Sequence, residues 1–257
     1  MIDIELAKKV FAEYVQNYNP ENGKIALKIK HIYRVADISK EIAVVLGLNE
    51  EEQNLAELIG LLHDIGRFEQ IRIYDTFVDS KSVNHAEMGV KVLFDDGLIN
   101  KFVEDRKYDD IIKTAILNHN IGRISDDVSK EAFKFCKIIR DADKTDIFYV
   151  LNTEKFEDAY EKADISEDLI SDEILREFKE DRIIDYKQRK SAADRMVSHI
   201  AYVFDFNYYY CLKKIKDCKY IEKLVKRANY KNPDTIRKMN EIVEIANRFI
   251  DEKGKEN

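Results

Sequence analysis

Apolar residues recur at helical spacing along most of this chain. Val35, Ile38, Ile42 and Val45 lie on one face, and His31 opens it. Leu55, Leu58, Ile59 and Leu62 form a second stripe, ending at Gly66. Ile112, Ala115 and Ile116 form a third, closed by His119, and Ala132, Cys136 and Ile139 a fourth, continued by Asp143. Such stripes predict amphipathic helices that pack through their apolar faces. The punctuation agrees. A first helix runs from about Ile4 to Tyr18 and stops near Pro20, and a second begins near Lys24, with Gly47 at its end. Asn49 with Glu52 three residues on reads as a capping box for the third. Residues 68–83 are mixed aromatic and polar and read as a long connection, whose Tyr74, Phe77, Asp79 and Lys81 lead into His85. Further helices are expected from about Asn84 to Phe94 and from Asp110 to His119. Beyond residue 150 the pattern stays helical, with one or two helices over 183–207 and a last one opened by Asn232-Pro233. The fold class implied is all-α: a helical core over 1–150, with a C-terminal helical extension over 151–257 packed on it as one compact unit.

Composition supports this and narrows the partners. Only 2 Pro and 8 Gly occur in 257 residues, against averages of about 5% and 7%. That leaves little room for the many turns of a β-protein. The net charge is −7 and no long basic run is present, which argues against duplex nucleic acid as the main partner. A small anionic substrate remains compatible, because one metal or arginine reverses the local field. Three cysteines without a Cys-x-x-Cys pair fit reduced thiols better than a disulfide framework. No stretch approaches the roughly 20 apolar residues of a membrane span, and Met1–Val10 carries no apolar segment of signal length. The expectation is a cytoplasmic protein without a membrane partner, and apolar helices in the C-terminal half leave room for a homodimer. No glycine-rich phosphate loop and no serine or cysteine nucleophile motif stands out.

The candidate chemistry lies where the stripes are broken. Of five histidines, His31, His63, His85 and His119 sit at apolar positions or helix ends, and Asp64 and Asp143 join them. An ionised carboxylate on an apolar face is costly unless paired or metal-bound. Six such residues around one point would supply nitrogen and oxygen ligands suited to Mn, Fe, Co, Ni or Zn rather than to Ca or Mg alone. His63 and Asp64 are neighbours, about 100° apart on a helix. They reach one point only from a helix end or a distorted turn, and Gly66 supplies such an end.

His31, the pair His63-Asp64 and Asp143 resemble the H…HD…D pattern of the HD-domain phosphohydrolase superfamily. The strings GLLHDIGR at 60–67, NHAEMG at 84–89 and IIRDADK at 138–144 are similar to it as well, and the resemblance covers roughly residues 25–150. It implies a helical bundle around bound metal. In the two-metal subset His31, His63, Asp64 and Asp143 hold the first metal, Asp64 bridges, and His85 and His119 hold the second. In one-metal members His85 and His119 would contact substrate phosphate instead. The implied cofactors are divalent transition metals, two of them. The implied reaction is hydrolysis of a nucleotide or related small phosphate ester by a metal-activated water.

Arg67, one turn past His63, is placed to bind phosphate through its planar fork. Lys144 either neutralises phosphate or pairs with Asp141, and Arg140 supports Asp143 from three residues away. No GYP tripeptide occurs, and no Glu-Asp pair follows HD. These departures leave the cyclic-di-GMP and alarmone subtypes unsupported. The ligand order is similar to that of the smaller symmetrical diadenosine tetraphosphate hydrolases. Two rival readings are a non-catalytic HD sensor of nucleotide or metal and a two-metal HD oxygenase. His199 matches no site pattern and is read as structural, and the run Tyr208-Tyr209-Tyr210, with Phe204 and Phe206, either stacks on a base or, the favoured reading, packs in a core or interface.

Overall fold

The computed structural model describes residues 2–160 and 162–256, the side chains of Asp158, Ala159 and Tyr186 aside. The chain is all-α, with no strand among the described residues. It divides into two units, Met1–Asp143 and Lys144–Asn257.

The first unit contains α1 (Ile4–Val15), α2 (Gly23–Val45), α3 (Glu50–Leu62), α4 (Gly66–Tyr74), α5 (His85–Val90), α6 (Ile99–Phe102), α7 (Asp109–His119) and the start of α8 (Lys130–Thr153). Side chains satisfy the orphan amides at several starts. Asp3 accepts from the Leu6 amide and Asn22 from the Lys24 amide. Asn49 and Glu52 close the expected capping box in both directions. Gly47 leaves α2 with φ +68°, a left-handed conformation that glycine adopts without steric penalty.

The long helix α2 lies against α3, and this pairing is close. A Cβ on Gly60 would stand 2.7 Å from the Ala36 Cα and 2.9 Å from Ser39 Oγ. The same seam buries Glu57, whose carboxylate takes Lys8 of α1 at 2.7 Å and Lys40 of α2 at 2.8 Å. One buried acid therefore ties three helices, as a desolvated charge requires. Helix α1 also reaches α4. Phe11 meets Tyr33 and Phe68 edge to face, and the Tyr18 hydroxyl donates to Glu69 at 2.7 Å. Helix α5 packs on α4 and α7, and a π-helical turn, Lys91–Asp95, continues it.

Two sequence expectations change here. Residues 68–83 are not all connection, because α4 occupies 66–74. Its inner face carries Phe68, Gln70 and Ile71, and a buried glutamine in a nine-residue helix hides the apolar period. Gly66 opens this helix instead of closing the previous one. Its role is contact: a Cβ there would lie 2.2 Å from the His85 carbonyl oxygen and 2.4 Å from the Gly89 amide nitrogen.

The second unit contains α9 (Phe156–Tyr160), α10 (Asp172–Lys179), α11 (Ala192–Ile200), α12 (Tyr209–Asp217), α13 (Tyr220–Ala228) and α14 (Pro233–Glu256). It has its own core, including Ile174, Phe178, Met196, Ile200, Ile215, Leu224, Ile242 and Ile250. Asn232 caps α14 by accepting from the amides of Asp234 and Thr235. Phe204 and Tyr209 pack against this core. His199 lies between the rings of Tyr160 and Tyr202, 5.7 Å from each centroid. No helix among the described residues is long and apolar enough to cross a membrane.

The glycine contacts are testable. Gly66→Ala should lower the unfolding free energy by more than about 2 kcal/mol, the size of an overpacking strain that backbone must absorb. Gly23→Ala, where nothing lies within 4 Å of the added carbon, should be neutral or slightly stabilising. Equal denaturation midpoints for the two variants would refute the close α4–α5 approach.

Candidate metal centre

The helix break after Leu62 solves the geometry of the His63-Asp64 pair. Helix α3 ends there, and residues 63–65 form a turn before α4 starts. The Ile65 amide bonds back to the Leu62 carbonyl, and the Arg67 amide to that of Asp64. Both neighbours thus face one point, with His63 Nε2 3.6 Å from Asp64 Oδ2.

Asp64 is the hub. It is 2% exposed, and each carboxylate oxygen faces a different group of imidazoles. Oδ2 lies 3.6 Å from His31 Nε2 and 3.6 Å from His63 Nε2. Oδ1 lies 3.3 Å from His85 Nε2 and 3.7 Å from His119 Nε2. Asp143, on α8, joins the first group, 3.2 Å from His31 Nε2 and 3.8 Å from His63 Nε2. The structure therefore brings together all six residues singled out in the sequence. Two ligand triplets emerge, His31–His63–Asp64 and Asp64–His85–His119, each with its donor atoms within 4.8 Å of one another.

The imidazoles are oriented for coordination. His63 Nδ1 is 2.7 Å from the Gly60 carbonyl oxygen and His119 Nδ1 is 2.6 Å from that of Ile116. His85 Nδ1 is 2.7 Å from Asp79 Oδ2. These partners only accept, so each Nδ1 carries the proton and each Nε2 points its lone pair at the cluster. His85 Nε2 and His119 Nε2 then face each other at 3.0 Å. Two opposed lone pairs repel, a contact that a cation held by both rings would relieve. His63 Nε2, fully buried, has no hydrogen-bond partner, which again fits a ligand atom. The donor set and its orientation suit a divalent metal pair.

Electrostatics point the same way. Burial opposes ionisation of Asp64, yet Lys28, His63, His119 and Arg67 together hold its pKa well below the ordinary carboxylate value. Asp143 is also held low, burial being outweighed by His31 and His63. Burial lowers His63 to about 3, and lowers His85 to about 4 despite Asp79. Both rings are neutral near pH 7, the form that binds metal.

Lys28 and Asp79 complete the site without having been assigned to it from the sequence. Lys28 Nζ stands 2.5 Å from Asp64 Oδ2. Its position three residues before His31, on the same helix face, was a usable signal. Asp79, expected only at a pocket rim, orients His85 and accepts from Arg67 Nη1 at 2.9 Å and Gln70 Nε2 at 2.8 Å. No period marks it, because it sits in a short 3₁₀ turn. Arg67 Nη1 also donates to Gln70 and to the Phe77 carbonyl, each at 2.7 Å, while its Nε lies 3.5 Å from Asp64 Oδ1. Arg140 donates to the carbonyls of Asn118, Ile121 and Gly122. It thereby holds the turn after His119 in place. Lys144, the first residue of the second unit, is ion-paired there with Asp205 at 2.5 Å.

Residues 29–147 match the HD domain family. This segment is thus similar to HD domains. HD domains bind divalent metals, and the family consists mostly of metal-dependent hydrolases. No curated protein and no solved structure matches the chain. The matched segment contains His31, the His63-Asp64 pair, His85, His119 and Asp143, so the family match and the geometric cluster coincide.

The lowered histidine pKa values set a pH dependence for the metal-free protein. Unfolded, His63 and His85 take up protons near pH 6.5; folded, they do so only near 3 and 4. Their contribution to stability is therefore full above about pH 6.5 and is lost as pH falls toward 4. The thermal midpoint of metal-free protein should drop between pH 7 and pH 4.5, and His85→Asn should make the drop smaller. A midpoint that is flat over this range would contradict neutral, buried imidazoles.

Proposed function

We propose that the protein is a metal-dependent phosphohydrolase that hydrolyses a nucleotide or related small phosphate ester at a two-metal site. The observation that carries this reading is the carboxylate of Asp64, which turns one oxygen to His31 and His63 and the other to His85 and His119. In it, His31, His63, Asp64 and Asp143 would hold one ion and Asp64, His85 and His119 the other. Imidazoles mixed with carboxylates suit Mn, Fe, Co, Ni or Zn. Such ions, when bound, supply the Lewis acidity that activates water and stabilises charge on a phosphoryl group.

The chain's own groups account for the rest. Asp79 keeps His85 in the tautomer that offers Nε2 to the site. Arg67 stands beside Asp64, its Nε 3.5 Å from Oδ1, and its planar fork suits a phosphate oxygen. Two cations, Arg67 and Lys28, at the edge of a centre in an acidic chain favour an anionic substrate. This same feature favours hydrolysis over oxygenase chemistry.

A panel of dinucleoside polyphosphates, nucleoside mono-, di- and triphosphates and cyclic nucleotides, incubated with Mn²⁺ and read by mass spectrometry, tests the proposal. Turnover of at least one compound is expected, and Asp64→Asn should reduce it by more than about 10³-fold, as loss of a metal-bridging group does. A metal-loaded protein that turns over nothing would sink the enzyme reading and favour the sensor. Oxygen uptake without phosphate release would favour the oxygenase.

A further inference from the structure

Lys28 occupies a place that the proposed function leaves without a specific role. It extends from α2 one turn before His31, its side chain 17% exposed, and its ammonium is 2.5 Å from Asp64 Oδ2. That oxygen is the one turned to His31 and His63. Besides Asp64, the ammonium meets the face of the Phe77 ring, 5.4 Å from its centroid. Arg67 lies over the same ring at 5.6 Å, but three acceptors fix its Nη1. Lys28 is thus the less constrained of the two cations, on a flexible four-carbon stem.

We infer that Lys28 is a built-in counter-ion for Asp64, displaced when a divalent cation binds and recaptured by the phosphate of the substrate. The inference rests on the metal-centre reading above. A cation bonded to Oδ2 and an ammonium 2.5 Å from that same oxygen would be like charges about 4 Å apart, so each disfavours the other. Without an anion, metal must first break the Lys28–Asp64 pair, and its apparent affinity is reduced accordingly. With a phosphate present, the displaced ammonium gains a new partner, and metal and anion bind cooperatively. Linkage makes this reciprocal, so each ligand tightens the other by the same factor. The consequence is a site that loads fully only when an anionic substrate arrives.

Mn²⁺ titrations of the full chain, following free Mn²⁺ by electron paramagnetic resonance with and without inorganic phosphate, test this. Wild type should bind Mn²⁺ more tightly when phosphate is added. Lys28→Met and Lys28→Gln should bind Mn²⁺ about tenfold or more tighter than wild type without phosphate, the scale of one partly buried ion pair. They should also lose most of the phosphate-linked gain. Two uncharged variants guard against misfolding of one, and circular dichroism reports the fold. In the metal-free state both should melt at lower temperature, because Asp64 is left with less compensation. Equal or weaker Mn²⁺ binding by folded variants would overturn the inference for Lys28 alone. Mn²⁺ binding by wild type that Asp64→Asn leaves unchanged would instead overturn the metal-centre reading, and the Lys28 inference with it.

Discussion

The first unit is organised around one expensive act, the burial of the Asp64 carboxylate. An isolated charge in that position would be strongly destabilising, so everything around it supplies compensation. Lys28 and Arg67 bring positive charge, and four imidazoles surround the two oxygens. The arrangement is nonetheless poor as a structural salt bridge. The imidazoles near Asp64 include two that burial keeps neutral, His63 and His85, and two Nε2 atoms face each other at 3.0 Å. A chain selected only for stability would replace such a cluster with apolar residues. Its presence within the segment that matches the HD domain family makes physical sense as a receptacle for external cations.

The backbone around the cluster is shaped to serve it. Two glycines permit helix approaches that no side chain would allow. Gly60 seats α3 on α2, which sets His31 beside His63, and Gly66 seats α4 on α5, which sets His85 beside Asp64. The break between α3 and α4 then turns two consecutive side chains into one space. Local acceptors complete the work, since the carbonyls of Gly60 and Ile116 lie three residues before the histidines that donate to them. Tautomer and aim are thereby fixed by the helices themselves for His63 and His119, whereas His85 takes a partner from the preceding turn, Asp79.

The second unit is a separate packing problem with its own solution. Its core draws on several helices, and some of the buried polar groups within it are matched internally. Asp194 accepts from the backbone and hydroxyl of Ser171 and from the Lys190 amide, and Lys238 pairs with Asp172 and Asp234. Lys144 belongs to this pattern through Asp205.

The helical class, most helix positions and the six residues of the cluster were legible in the sequence, because each depends on local periodicity or on an ionisable residue where that periodicity demands an apolar one. His119 and Asp143 were visible for this reason: each continues an apolar stripe. Helix α4 was not, since its inner face includes Gln70, whose burial is sustained by acceptors in the following loop, Asp79, Ser82 and Val83. Nor was the function of Gly66, because a glycine that permits contact and one that ends a helix look alike until the neighbouring helix is in place. Only the tertiary structure decided which histidines each Asp64 oxygen faces, that Lys28 reaches Asp64, and that Asp79 aligns His85. The first two of these bring side chains from separate helices to Asp64 in the turn between α3 and α4, and the third depends on how a short turn is folded back. Such convergence is set by how helices cross, which depends on packing over whole faces, and single-chain spacing carries no record of it.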